Sequence, residues 1–161
     1  MNKQIIQELV EMFAEAYHNL GYSSLMGKIV ALLIASPEPL SLDDISDELQ
    51  MSKGPVSQIC RKLKEHQLIE KAWIPGERKD YYKATDDIFG QAFRNYSRNM
   101  QKNRLIAQKT IQQVGQNGNS TEMDHLIRRM HEMETFYELM KTHHENFLSA
   151  WSVTKKTEIE A

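Results

Sequence analysis

The sequence predicts a mostly α-helical fold organised around a winged helix-turn-helix: a three-helix core with a β-hairpin wing, one helix before it and two long helices after it. Three observations predict this. Two short helical segments, residues 42–49 and 53–66, are separated only by a tight turn. An apolar and aromatic run over 68–74 then meets Pro75-Gly76 and returns over 80–84, the pattern of a hairpin. Beyond it, apolar side chains recur seven apart through the last third of the chain.

Each element has its own reason. Over residues 2–20, Ile6, Leu9, Phe13, Ala16 and Leu20 fall on one helical face, and Gly21 is a stop signal. Residues 24–36 are apolar nearly all round (Leu25, Met26, Ile29, Val30, Leu32, Leu33, Ile34), which predicts a central, buried helix ended by Pro37 and Pro39. Ser41 with Asp44 three residues on is a capping box for the third helix, with Leu42, Ile45 and Leu49 inward. Ser52 is the expected N-cap of the fourth helix, and Pro55 falls in its first turn, where a missing N–H costs no intrahelical bond. Thr85 or Asp86 caps a long helix to Val114 carrying Phe89, Phe93, Tyr96, Met100, Ala107, Ile111 and Val114 on one side; residues 115–120 break it. The last helix is expected from Thr121 to Trp151. Its stripe holds Met123, Met130, Tyr137, His144 and Trp151 in one series and Leu126, Met133, Met140 and Phe147 in the other. A polar tail from Ser152 is expected to fray. The organisation is therefore a dimerisation helix over 1–20, the winged unit over 21–86, dimerisation helices over 87–151 and a flexible tail over 152–161.

Composition narrows the function classes. The chain of 161 residues is the size of one domain. Its 20 Lys+Arg nearly balance 22 Asp+Glu, which excludes a histone-like polycation. One Cys excludes an intramolecular disulfide and a four-Cys zinc site. Lys3, Glu8, Glu11 and Glu15 interrupt any signal-peptide core, and the longest apolar run, 29–35, is far too short for a membrane span. The expectation is a soluble cytoplasmic protein without metal or cofactor. No Gly-rich phosphate loop or nucleophile elbow is present, so the chain does not read as an enzyme.

The functional constellation lies on the fourth helix and the hairpin. Val56, Ile59, Cys60 and Leu63 set the inward face of the helix. Lys53, Ser57, Gln58, Arg61, Lys62 and Lys64 then point away, as donors for phosphates and base edges. Arg61 suits guanine and Gln58 adenine, while Pro55 and Ser57 suit a thymine methyl or a phosphate. Between Met51 and Lys83 eight basic residues face four acidic ones, a local balance of +4 in a chain of net charge −2. Arg78-Lys79 at the hairpin tip is placed for the adjacent minor groove. Asp43, Asp44, Asp47 and Glu48 on the preceding helix are expected to face mostly away from DNA. A single such unit touches few base pairs, so a homodimer on a pseudo-palindromic double-stranded operator is expected. Its interface would be formed by Ile6, Leu9, Phe13, Met123, Leu126, Met130, Met133, Tyr137, Met140 and Phe147.

The run from Leu32 to Ala84, with Ser-Pro-Glu-Pro-Leu-Ser before the helix pair, Met-Ser-Lys-Gly opening the fourth helix and Pro-Gly-Glu-Arg-Lys-Asp-Tyr-Tyr at the wing, resembles the GbsR-type branch of the MarR-like winged-helix regulators. The resemblance covers residues 20–90. It implies a dimeric bacterial or archaeal repressor whose dimer is built from the first and the last two helices. It further implies a small-molecule effector, choline in the members that govern glycine betaine genes. Such an effector would act between the winged body and the dimerising helices.

The same residues admit other readings. Cys60 lies on the apolar stripe and reads as core rather than a redox switch. His143 and His144 diverge by about 100° on a helix; only His131 and Glu134 share a face, so a metal sensor is disfavoured. His144 at a core position reads as a register device or a pH-sensitive polar group. The Met series reads as packing, with an adaptable ligand pocket as the alternative. Phe89, Phe93, Tyr96, Tyr137 and Trp151 read as core, with a quaternary-ammonium cage as the alternative. Trp73, Tyr81 and Tyr82 are expected to shape the hairpin. The competing function is a winged-helix adaptor working through protein contacts, which would have no need of the basic helix face.

Overall fold

The computed structural model describes residues 3–116 and 123–159. Its elements run α1 (Lys3–Asn19), α2 (Ser24–Ala35), β1 (Leu40–Ser41), α3 (Leu42–Glu48), α4 (Lys53–Glu65), β2 (Ile69–Ala72), β3 (Tyr81–Ala84), α5 (Ile88–Gln116) and α6 (Asp124–Ile159). They fall into two compact units, Met1–Ile88 and Phe89–Ala161. The fold class is the expected one, mostly helical with a winged helix-turn-helix.

In the first unit, α2 is the central helix because it is apolar all round. Ile29 and Ala31 are fully buried and Met26, Val30 and Leu33 nearly so. Ile45 of α3, Val56, Cys60 and Leu63 of α4, and Ile69 of β2 complete this core. Each large apolar side chain there contributes about 1.5–3 kcal/mol of burial. α1 lies on α2 through Val10 and Ala14, and Gly27 is the point of closest approach. A Cβ on Gly27 would stand 2.3 Å from the Phe13 carbonyl oxygen.

Three helices in this unit end in the same way. After α1, Gly21 takes φ 81°, with bonds from its own N–H to His18 O (2.9 Å) and from the Tyr22 N–H to Tyr17 O (2.9 Å). Gln50 and Gln67 do the same after α3 and α4, at φ 52° and 58°, although neither is glycine. The capping box at α3 forms as read: the Asp44 N–H donates to Ser41 Oγ (3.2 Å), and Asp44 Oδ2 accepts from the Ser41 N–H (2.8 Å).

The sheet departs from the expected single hairpin. Leu40 and Ser41 form a third strand opposite Tyr82 and Tyr81, so the order is β1-β3-β2, all antiparallel. The two residues after Pro39 are too few to show alternation, which is why the strand left no pattern. The hairpin strands are shorter than their apolar runs, ending at Ala72 and starting at Tyr81. Neither Thr85 nor Asp86 begins α5, which starts at Ile88. The Thr85 hydroxyl instead donates to the carbonyls of Gln67 (3.3 Å) and Leu68 (3.2 Å), tying the strand exit to the end of α4.

In the second unit, α5 and α6 run antiparallel along a largely polar seam. Gln101 Nε2 donates to Tyr137 O (3.3 Å), Gln108 Nε2 to Glu134 Oε1 (2.7 Å), and Arg104 pairs with Glu138 at 2.8 Å. His144 Nδ1 lies 3.0 Å from Ser97 Oγ, and the Phe93 ring packs on His144 (4.9 Å) and Phe147 (4.7 Å). α5 reaches Gln116, so the break expected over 115–120 does not begin at Gly115; its remainder, like the start at Thr121, lies outside the described residues. α6 continues past Trp151 to Ile159, where the polar composition predicts fraying. The hydroxyls of Ser152, Thr154 and Thr157 bond back to carbonyls of the preceding turn, so these residues are accommodated within the helix.

Candidate nucleic-acid interface

The exposed face of α4 follows from its buried one. Val56, Cys60 and Leu63 have no exposure, and Ile59 is half-buried. Lys53, Pro55, Gln58, Arg61, Lys62 and Lys64 are therefore exposed together, while Ser57 is half-buried at the edge. Ser52 holds the N-cap backbone conformation, but its hydroxyl makes no capping bond. The first-turn N–H groups thus receive no capping bond from Ser52 and suit a phosphate oxygen.

The wing turn is set by Pro75 and Gly76. Gly76 has φ 85°, and the Glu77 N–H donates to Ile74 O (3.1 Å), the geometry of a type II turn with Pro and Gly at its two central positions. Glu77, Arg78, Lys79 and Asp80 are all exposed beyond it.

Ion pairs sort the eight basic residues into two groups. Lys53 Nζ lies 2.6 Å from Asp43 Oδ1, and Lys79 Nζ lies 2.9 Å from Asp43 Oδ2. Lys71 pairs with Asp80 (2.6 Å) and Lys83 with Glu70 (3.0 Å). Among the described residues no carboxylate pairs with Arg61, Lys62, Lys64 or Arg78. The uncompensated positive charge is therefore concentrated on the middle of α4 and the wing tip.

Asp43 corrects the expectation that the acidic residues of α3 face away from the basic surface. Only Glu48 among them points elsewhere in a defined pair, 3.9 Å from Lys3 of α1. Asp43 sits inside the basic surface, and hydrogen bonds from Lys53 and then Lys79 hold its carboxyl down at about 2. The same bond raises the Lys79 ammonium above its ordinary range.

Trp73 is the second residue whose place the sequence did not reveal. Expected to shape the hairpin, it is 82% exposed. Tyr82, in contrast, is buried opposite Lys71, with its ring near Cys60 and Arg61.

The remaining candidates divide. Cys60 is buried, and burial pushes its thiol up to about 11, the opposite of a reactive thiolate. Ile6, Leu9 and Phe13 are half-buried, on the side of α1 that carries Val10 and Ala14; the large exposed apolar residues of α1 are Ile5 and Met12. On α6, Met130, Met133, Tyr137 and Met140 are half-buried, whereas Leu126 and Phe147, like Met123 just before the helix, are exposed. Phe136 and Leu139, outside the heptad series, are exposed as well. Phe93, Tyr96, His144 and Phe147 pack ring on ring, with no cage between them. Among the described residues no group of three metal-ligating side chains converges, and no helix is long and apolar enough to cross a membrane.

No protein-family model matches the chain. It is 29% identical over 108 residues to the HTH-type transcriptional repressor OpcR of Bacillus subtilis, covering 64% of this chain and 58% of that protein. To the HTH-type transcriptional regulator MmpR5 of Mycobacterium tuberculosis it is 25% identical over 111 residues, covering 68% of this chain and 67% of that one. The chain thus spans less than two thirds of the length of OpcR. A solved structure described as a transcriptional regulator superposes with a TM-score of 0.77 at 23% identity, over 91% of this chain and 97% of its own. These relatives are helix-turn-helix transcriptional regulators, not enzymes, and the solved structure shares the fold.

Proposed function

We propose that this chain is a sequence-specific double-stranded DNA-binding transcriptional repressor of the GbsR-type branch, working in the cytoplasm as a homodimer on a pseudo-palindromic operator. The observation that carries this is the sorting of charge: Arg61, Lys62, Lys64 and Arg78 stay uncompensated on one helix face and the adjoining wing tip. Ser57, Gln58 and Arg61 read base edges in the major groove, and Arg78 enters the minor groove. Lys53, Lys62, Lys64 and Lys79 hold phosphates, with Pro55 against a base methyl or the backbone. The heptad residues of the last helix, with the exposed Phe136 and Leu139 beside them, and Ile6, Leu9 and Phe13 of α1 join two copies, which sets the half-site spacing.

The resemblance supplies an effector of the choline class. Such a cation would find a cleft of about 690 Å³ within the first unit, between α1, α2 and α3, with the Asp47 carboxylate beside the apolar Val10 and Leu32, while Glu11 and Glu48 in the same lining are paired with Lys28 (2.6 Å) and Lys3 (3.9 Å). It would act by binding one state of the dimer more tightly than the other.

Fluorescence anisotropy on DNA from upstream of the gene and its neighbours, in a salt series against random DNA, tests the reading. A salt-sensitive affinity at least about 10³ above random DNA is expected, and added choline should shift it. Arg61→Ala should cost about 1–3 kcal/mol and relax sequence preference, whereas Lys62→Ala should weaken all sequences alike and flatten the salt slope by about 1. Equal affinity for every duplex would overturn the regulator and favour an adaptor.

A further inference from the structure

We propose that Asp43 is a positioning residue for DNA recognition, a carboxylate clamp that ties the start of α4 to the wing tip and restrains two lysines from indiscriminate phosphate binding. This rests on the regulator reading above. The bridge is long-range in sequence: Asp43 reaches Lys53 at 2.6 Å with one oxygen and Lys79 at 2.9 Å with the other. It joins three elements at once, the first turn of α3, the first residue of α4 and the loop of the wing. A negative charge placed there works against affinity for any polyanion. Its presence makes sense if the gain is geometric, because a wing held by a two-armed clamp presents Arg78 at a fixed offset from Arg61. An operator that fits brings phosphates to both ammonium groups at once. Each ammonium has three N–H donors and can serve a phosphate while keeping its bond to Asp43. A duplex of the wrong groove shape reaches neither.

Binding of random and operator duplexes to Asp43→Asn, measured against log salt, tests this. Removing the clamp frees two lysines for any phosphate, so the slope on random DNA should steepen by up to about 1.8, at about 0.9 per phosphate. Random-DNA affinity should rise several-fold at low salt and the operator-to-random ratio should fall. Asp43→Glu, which keeps a carboxylate within reach, should keep the wild-type slope. Glu15→Gln makes the same charge change at an exposed position of α1 and should move neither quantity. Equal slopes for wild type and D43N, a change matched by E15Q, or a D43E that steepens as D43N does would each overturn the clamp. If the wild type itself prefers no duplex, the regulator reading falls separately, and the D43N slope on random DNA still reads the clamp. Circular dichroism checks that the variants fold. Independently of any variant, the side-chain ammonium NMR signals of Lys53 and Lys79 should shift on adding operator but not random duplex; equal shifts with both would also overturn it.

Discussion

Cys60 shows how much one residue's surroundings decide. Seated between Ile59 and Arg61 on α4, it is fully buried, and desolvation raises its thiol to about 11. At neutral pH the thiolate is then scarce, so alkylation by iodoacetamide should be slow in the native protein and fast in urea. Cys60→Ser should destabilise the fold by about 1–3 kcal/mol through a buried hydroxyl without a partner, read from urea unfolding. Gln50 makes the converse case: at φ 52° it occupies a conformation that favours glycine, and Gln50→Gly should stabilise by about 0.5–1 kcal/mol. Asp43 has a pH signature of definite sign. Its folded carboxyl is depressed from 3.8 to about 2, so the clamp's contribution is complete above about pH 4 and lost only as pH falls through about 2. NMR titration of its carboxyl carbon should give that midpoint, and the clamp should be insensitive to any change near neutrality.

At the scale of elements, periodicity and end signals accounted for most boundaries. The capping box at Ser41 and Asp44, the all-round apolar α2 and the divided faces of α4 are local properties, and each formed where its residues lie. What escaped was pairing between distant segments. β1 is two residues long, so only Tyr81 and Tyr82 across from it make it a strand. Thr85 reads as a cap because Ser and Thr caps are common, yet its hydroxyl is taken by carbonyls at the end of α4. Gly27 likewise looks like an ordinary helix glycine until α1 is laid against it. Gly27→Ala forces a Cβ into the Phe13 backbone carbonyl, which cannot swing aside, and should cost about 3 kcal/mol in thermal or urea unfolding.

For the whole molecule, the division into two units assigns the work: the first carries the basic surface, the second two long helices. The exposed Phe136 and Leu139, at 57% and 58%, lie beside the half-buried Met133, Tyr137 and Met140 on α6. A monomer has little reason to leave such a strip in water. The double change Phe136→Glu with Leu139→Glu should convert a dimer to a monomer in analytical ultracentrifugation, keep the helical circular-dichroism signal, and roughly halve the salt slope on operator DNA. A dimeric mass for that variant would place the interface elsewhere.

The amino-acid sequence alone determined the order of the helices and the hairpin, the helix-pair-and-wing fold and the exposed face of α4, because these follow from periodicity, turn chemistry and the apolar stripe of Val56, Cys60 and Leu63. It also marked Arg61, Lys62, Lys64 and Arg78, since a charge on the polar face of an amphipathic helix or at a turn tip must be exposed. Only the tertiary structure decided which charges remain free. Asp43 lies 36 residues from Lys79 along the chain, and no local rule brings them together. Ion pairing depends on a few ångströms between side chains on separate elements, and those distances are fixed by how α3, α4 and the wing pack on one core.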